Sequence, residues 1–244
     1  MTLFVYFLAL FAFVFLSFLL ILVICKRKKN YLQYLLIGFI VTIEFWFCLL
    51  FFEDVSLRVN YLEFAKILER FKYLSISITP IWIILLSYYF ARDGKTANKF
   101  AYLLAIDPVI TQFALWTNDR FNLFYSSYTV LGQSIGSLSI AHIMIFNATI
   151  AFSVFFLFEF RKKSEKEMHT QATFIILSTS LPILVNILYI AQIPYFNAYA
   201  TPISFAVCAF SFYKTISKYN FLENTPLVLR SIVDRISYVY IVLD

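Results

Sequence analysis

Residues 3–25 read LFVYFLALFAFVFLSFLLILVIC, and residues 26–29 read KRKK. The apolar run is long enough to cross a membrane as a helix, because the hydrocarbon core of a bilayer requires about 20 residues. No basic residue precedes the run and no small-residue cleavage motif follows it, which favours a retained span over a signal peptide. The pattern therefore predicts an integral membrane protein.

The composition of the whole chain agrees with this prediction. Its 244 residues are 61% hydrophobic and 14% charged, with a mean hydropathy of +0.80, whereas soluble domains are about 45–50% apolar and about 25% charged. This composition excludes a soluble globule and a disordered chain, and three cysteines exclude a disulfide framework. The net charge of +6 comes from Lys and Arg clustered between apolar runs, which is typical of membrane topology signals rather than of nucleic-acid binding.

Seven runs are candidates for crossing the membrane. Fifteen of the 20 basic residues lie in the segments that follow odd-numbered runs, and Lys and Arg concentrate on the cytoplasmic side. The sequence thus predicts an all-α membrane protein, a seven-transmembrane helix bundle with its N-terminus outside and its C-terminus in the cytoplasm. The predicted spans cover about residues 3–25, 31–52, 71–90, 100–116, 138–160, 172–193 and 199–213.

The C-terminal part has a different pattern. We expect residues 1–218 to form the membrane domain and residues 219–244 to form a short cytoplasmic linker helix and the start of a truncated output domain. Leu229, Ile232 and Ile236 fall on one face of that helix. Two interpretations remain open, a signalling connector to a following domain and an amphipathic helix lying on the inner leaflet.

Several polar side chains fall inside the predicted spans, where ionisable groups are costly and often functional. Glu44, Lys72, Asn186 and Thr201 are all expected toward the outer side, so they are candidates for a ligand-binding pocket. The alternative is a structural clamp between helices, in which Glu44 pairs with Lys72 or with Arg70.

The fourth run is interrupted by Asp107, which is expected near the middle of a short span. Two alternatives are open, that Asp107 is neutral and that it bonds to Asn147 or another polar group, and a role in proton relay is a further possibility. Each proline within a span removes an internal helix bond and is expected to kink its helix. These prolines are Pro80, Pro108, Pro182 and Pro202.

Residues 117–137 form a polar and aromatic loop between the fourth and fifth runs. It contains Phe121, Phe124, Tyr125 and Tyr128. Aromatic side chains of this kind anchor a chain at the membrane interface, and a lid over the outer mouth of the bundle is the alternative.

Catalytic motifs were not found in the sequence. His142 and His169 have no Cys, Asp or Glu at metal-ligand spacing, and the phosphate-loop and nucleophile-elbow motifs are missing. We therefore expect no enzymatic activity, no cofactor and no metal site in this chain.

Motif residues spread along nearly the whole chain resemble the N-terminal seven-helix sensor region of bacterial membrane histidine kinases. They are Glu44, Lys72-Tyr73, Pro80, Pro108 with Ile110-Thr111, Thr117-Asn118, Phe124-Tyr125, Leu181-Pro182, Asn186-Ile187-Leu188-Tyr189, Thr201-Pro202-Ile203-Ser204-Phe205-Ala206, Tyr219-Asn220-Phe221-Leu222 and Val242-Leu243-Asp244. The sequence departs from the family at Asp107, where the family usually has an apolar residue.

The resemblance implies the sensory input module of a two-component receptor in the bacterial plasma membrane. Its expected partners are membrane lipid, an unknown small-molecule or peptide ligand, a second copy in a homodimer, and a PAS-like or kinase output domain or a cytoplasmic regulator, with no nucleic acid. Phe205 belongs to the motif of the seventh span, through which the family would relay the signal.

Two other functions remain open at this point. One is a transporter or channel component with Glu44 and Asp107 along a polar path. The other is a stand-alone membrane regulator that acts through a protein partner.

Overall fold

The computed structural model describes residues 3–26, 29–92, 102–129, 132–164, 166–194 and 196–223. The chain forms a bundle of helices with one β-hairpin. In chain order the elements are α1 (Leu3–Ile24), α2 (Tyr31–Arg58), α3 (Leu62–Ala91), α4 (Ile106–Trp116), α5 (Asn118–Phe121), β1 (Tyr125–Thr129), β2 (Gly132–Ile135), α6 (Ser137–Lys163), a 3-10 turn (Lys166–Met168), α7 (His169–Ile190) and α8 (Ala200–Glu223).

Five helices are long and apolar enough to cross a membrane, namely α1, α2, α3, α6 and α7. A shorter apolar helix covers Tyr102–Trp116. These helices confirm the class of all-α membrane protein within the part of the chain that the structure describes. The number of seven crossings and their direction stay predictions.

Several helices continue beyond the apolar runs. α2 ends at Arg58 rather than near residue 52, and α3 begins at Leu62, so the charged stretch before residue 71 belongs to the same helix as the third run. The charged side chains of this stretch form ion pairs within the fold, so α3 can include them. α8 continues to Glu223, past the boundary expected at residue 218. Leu229, Ile232 and Ile236 lie outside the described residues.

The antiparallel hairpin β1–β2 is an exception to the all-helical prediction. The Asn118 side chain fixes its entry, since Oδ1 accepts hydrogen bonds from the backbone N–H groups of Phe124 and Tyr125 at 2.8 and 2.9 Å. A Cβ added at Gly136 would lie 2.5 Å from the Leu123 carbonyl oxygen. Glycine is therefore required where the hairpin meets α6.

The long helices share two ends. At the hairpin end, which we define by β1–β2, Tyr6 of α1 bonds to Asp54 of α2 and packs edge-on against Tyr199, with 5.6 Å between ring centroids. At the basic end, which we define by Arg161–Lys163 of α6, Lys163 Nζ donates to the Ala91 carbonyl oxygen at 3.3 Å. α1, α3, α6 and α8 thus run from the hairpin end to the basic end, and α2 and α7 run in the opposite direction.

Phe205 of α8 lies at the centre of the core and is fully buried. Its ring centroid is 6.2 Å from that of Phe39, 5.9 Å from that of Trp46 and 6.0 Å from that of Phe146. One aromatic ring therefore joins α2, α6 and α8, and α8 is an interior helix of the bundle.

The four span prolines fall into two groups. Pro80 and Pro182 lie inside α3 and α7. Pro108 and Pro202 are the third residues of α4 and α8, where the backbone N–H has no intrahelical partner in any case. The expectation that each proline removes an internal helix bond is wrong for Pro108 and Pro202.

Replacing Phe205 by alanine is expected to reduce the free energy of unfolding by about 3–5 kcal/mol, because it leaves a cavity where three helices meet. Val207→Ala, on the same helix at an exposed position, is the matched control and should change it by less than about 0.5 kcal/mol. Denaturant titration in detergent micelles measures both values. Equal unfolding midpoints for the two variants would contradict this packing.

Candidate functional site

Three charged side chains meet at the hairpin end without access to water. Glu69 and Lys72 are three residues apart on α3 and so share a face, and Glu53 comes from the last two turns of α2. The side chains of Glu53, Glu69 and Lys72 are 5%, 3% and 9% exposed. We call these three residues the charge cluster.

One ammonium group serves both carboxylates. Lys72 Nζ lies 2.5 Å from Glu53 Oε2 and also pairs with Glu69 Oε2. The ionised cluster would carry one excess negative charge, which is costly in a buried place unless further hydrogen bonds stabilise it. The geometry therefore needs additional donors.

Those donors come from the hairpin. Tyr128 donates its phenolic hydrogen to Glu53 Oε1 at 3.0 Å, and Tyr125 donates to Glu69 Oε1. Burial raises the pKa of both tyrosines, and the nearby Glu69 carboxylate raises it further. The phenols are thus held in the neutral form that can donate to a carboxylate.

The hairpin also packs into the bundle through apolar contacts. Phe124 is fully buried, with its ring centroid 4.8 Å from that of Tyr73, and a small core of Ala114, Leu115 and Tyr125 surrounds it. The sequence analysis left two roles possible for this loop, an anchor at the membrane interface and a lid over the outer mouth of the bundle. The structure buries this part of it against the helices and leaves Phe121 exposed.

Arg70 ties the segment before the hairpin to α3. Its guanidinium Nη2 lies 2.6 Å from Asp119 Oδ2 and its carbon lies 4.9 Å from the Trp116 ring centroid. Gln112 Nε2 donates to the Arg70 carbonyl oxygen at 3.0 Å. α4, α5 and the hairpin are therefore held to the same stretch of α3 that carries the charge cluster.

The predicted clamp between Glu44 and a basic residue of α3 is wrong. Ser17 of α1 donates to Glu44 Oε1 at 2.7 Å. Lys72 instead pairs with Glu53 and Glu69, and Arg70 pairs with Asp119.

The other predicted binding residues have partners of their own. Asn186 of α7 donates to Asn147 Oδ1 of α6 at 3.3 Å, and Thr201 is buried in the first turn of α8. The contacts recorded for the described residues join none of Glu44, Lys72, Asn186 and Thr201 to another. Their shared role in ligand binding stays a prediction.

Asp107 lies in the first turn of α4 and within the shorter apolar helix Tyr102–Trp116. Its depth in the membrane stays a prediction. Its partner is His142 of α6, whose Nδ1 lies 3.0 Å from Asp107 Oδ2 and 3.2 Å from Thr111 Oγ1. The expected bond from Asp107 to Asn147 is not among the recorded contacts, but the broader expectation of a polar partner is confirmed.

Sequence reasoning missed Glu53, Glu69 and His142 as parts of these sites. The spacing of Glu69 and Lys72 was a usable signal, because it predicts a pair on one helix face. Glu53 comes directly after the predicted second span, residues 31–52, so it gave no signal of a buried partner for Lys72. Within the described ranges, no group of three or more His, Cys, Asp or Glu side chains could hold a metal ion.

The model of one protein family, described as the N-terminal 7TM region of histidine kinase, matches residues 8–226. The chain belongs to this family. The match includes all the elements described above from α2 to α8, so this chain is a membrane sensor region, which in histidine kinases is separate from the catalytic part. No curated protein and no solved structure gives a significant match to the chain.

Replacing Lys72 by methionine should destabilise this histidine-kinase sensor region by about 3–5 kcal/mol, because two buried carboxylates lose their common cation. Lys66→Met is the matched control, since Lys66 pairs with the exposed Glu63 on the same helix and such pairs contribute about 0–1 kcal/mol. The measurement is unfolding in detergent, followed by circular dichroism. If both variants unfold alike, the charge cluster is not a buried ionic site.

Proposed function

We propose that this chain is the sensory input module of a two-component receptor, with the hairpin end outside the bacterial plasma membrane. A signal at the hairpin end changes the packing of the helices, and α8 carries the change to a cytoplasmic kinase or other output domain beyond this chain. The working unit is a homodimer, as the resemblance to the family implies.

The observation that carries the proposal is that the charge cluster is completed from two sides. α2 and α3 supply Glu53, Glu69 and Lys72, while the hairpin supplies Tyr125 and Tyr128. If the hairpin is displaced, Glu53 and Glu69 each lose a hydrogen-bond donor. The packing of α2 against α3 therefore differs in stability between the docked and the undocked hairpin. A ligand that prefers one of these arrangements would shift the population between them.

A series of aromatic contacts leads from the hairpin to α8. Tyr125 packs against Tyr73 at 6.2 Å between ring centroids, Tyr73 against His142 at 5.6 Å, His142 against Phe146 at 6.3 Å, and Phe146 against Phe205 at 6.0 Å. These contacts support a route for packing changes through α3 and α6 to α8. Coupling along this route is the part that experiment must establish.

The distribution of charge supports the orientation. Arg161–Lys163 stands at the basic end of α6, and basic clusters of this kind are retained on the cytoplasmic side. With an odd number of crossings, seven by the family description, the N-terminus lies outside and α8 points into the cell.

A transport function has less support. Glu44 bonds to Ser17 of α1, whereas Asp107 bonds to His142 of α6. These contacts are on separate helix pairs, which does not favour a common polar path.

The proposal is tested by fusing residues 1–244 in frame to a histidine-kinase core and reconstituting the fusion in liposomes. Asn118→Ala removes the hydrogen bonds that fix the entry to the hairpin, so basal autophosphorylation should change by about fivefold or more, the lower range of allosteric coupling. Ser126→Ala is the matched control, because its exposed side chain bonds within the hairpin to the Ser134 carbonyl oxygen.

Equal autophosphorylation in Asn118→Ala, Ser126→Ala and the parent fusion would contradict a sensory role for the hairpin. Inserting two alanines after Lys214 turns the end of α8 by about 200° and keeps the number of crossings, so it should change or remove any response. Activity that ignores this insertion would exclude α8 as the relay.

A further inference from the structure

A cavity of about 310 Å³ lies between α3, α4 and α6. Most of its wall is apolar, including Pro80, Phe124 and Phe146. Three polar side chains, those of Asp107, Thr111 and His142, contact one another in one part of the wall. Apolar walls with a few converging polar groups are typical of small-molecule sites.

His142, which lines this cavity, has one buried nitrogen without a hydrogen-bond partner in the described part of the chain. The side chain is 3% exposed, and Nδ1 is engaged by Asp107 and Thr111. The other nitrogen, Nε2, is buried and has no hydrogen-bond partner among the described residues. A buried polar atom without a partner costs stability, so a group that bonds to Nε2 would be stabilising.

The remaining wall faces outward through apolar side chains. Leu103, Ile106, Ile110 and Ile145 line the cavity and are exposed on the surface of the bundle. In a membrane protein such a surface faces lipid tails. An apolar molecule would therefore reach the cavity sideways from the bilayer.

We infer that this cavity binds an uncharged amphiphile with one hydroxyl head and an apolar body, such as a medium-chain alcohol. The hydroxyl bonds to His142 Nε2, and the body lies between α3, α4 and α6. The inference rests on the proposed sensory function for its biological meaning, because it names the ligand class of that input module.

A hydroxyl head fits the site, and a carboxylate head does not, for two reasons. A carboxylate only accepts hydrogen bonds, so His142 Nδ1–H donates to Asp107, and Nε2 accepts if the ring is neutral and donates if it is charged. A hydroxyl group satisfies either state, since it donates and accepts. A carboxylate head would place a second anion beside Asp107 in an apolar site, which is strongly unfavourable.

The size of the cavity limits the body. At about 30 Å³ for each water-sized group in a liquid, the volume corresponds to roughly ten non-hydrogen atoms. Octan-1-ol, with nine such atoms, is a suitable probe.

The wall also connects the cavity to the proposed relay. Phe124 is the buried anchor of the hairpin, and Phe146 contacts Phe205 of α8. An occupant would therefore touch both the hairpin core and the route to α8.

The test uses the full chain in lipid nanodiscs and an octan-1-ol that carries a diazirine, with peptide mass spectrometry to locate the photolabel. We expect saturable labelling of α3, α4 or α6 beside the cavity. Unlabelled octan-1-ol should compete at least about fivefold better than octane or octanoate at equal membrane concentration, as expected for one buried hydrogen bond.

Two variants test the site from different sides. His142→Leu removes the head contact and keeps an apolar wall, and Ala141→Phe fills the cavity from α6. Each should weaken labelling by about fivefold or more. Ala148→Phe is the matched control, because Ala148 is exposed two turns along the same helix and does not line the cavity.

Labelling that does not saturate, or that is equal in Ala141→Phe and Ala148→Phe, would overturn the binding site. Unchanged labelling in His142→Leu, or equal competition by octane, would overturn the assignment of the head group. Binding is measured without a kinase, so these failures leave the fusion experiment intact. Conversely, if octan-1-ol binds saturably but Asn118→Ala does not change the activity of the kinase fusion, only the sensory role is refuted.

Discussion

A single lysine ammonium held between two carboxylates away from water constrains the hairpin end of this protein. Lys72 cannot leave Glu53 and Glu69 without stranding buried charge, and the two carboxylates need the hairpin tyrosines as further donors. α2, α3 and the hairpin must therefore be positioned together. Arg70 and Asn118 add polar contacts on either side of the same assembly.

The function class follows from the family, and the proposed sensing and relay involve two different parts of the structure. The polar contacts gather at the hairpin end, whereas the centre of the bundle is aromatic around Phe205. A rigid aromatic interior transmits displacement well, because close-packed cores cannot absorb it locally. The Asp107–His142 pair joins the two regions, since His142 contacts both Tyr73 and Phe146.

The long helices were predictable from sequence because each contains an apolar run of membrane length, a property that does not depend on tertiary contacts. The charge cluster was not, since Glu53 and Lys72 are joined only by the packing of α2 on α3. The hairpin was missed because residues 125–135 lack the Asn-Gly or Asp-Gly turn that marks such a structure. The partner of Asp107 was not predictable either, because only the packing of α4 on α6 brings it to His142.

The lengths of α2 and α3 have a mechanical consequence. Their 28 and 30 residues correspond to about 42 and 45 Å at 1.5 Å per residue, against a hydrocarbon thickness of about 30 Å. Both helices are long enough to reach into the lipid headgroup layer unless they tilt, and a thicker or thinner bilayer would alter that tilt. The angle between these two helices and the membrane normal would therefore vary with the thickness of the surrounding bilayer.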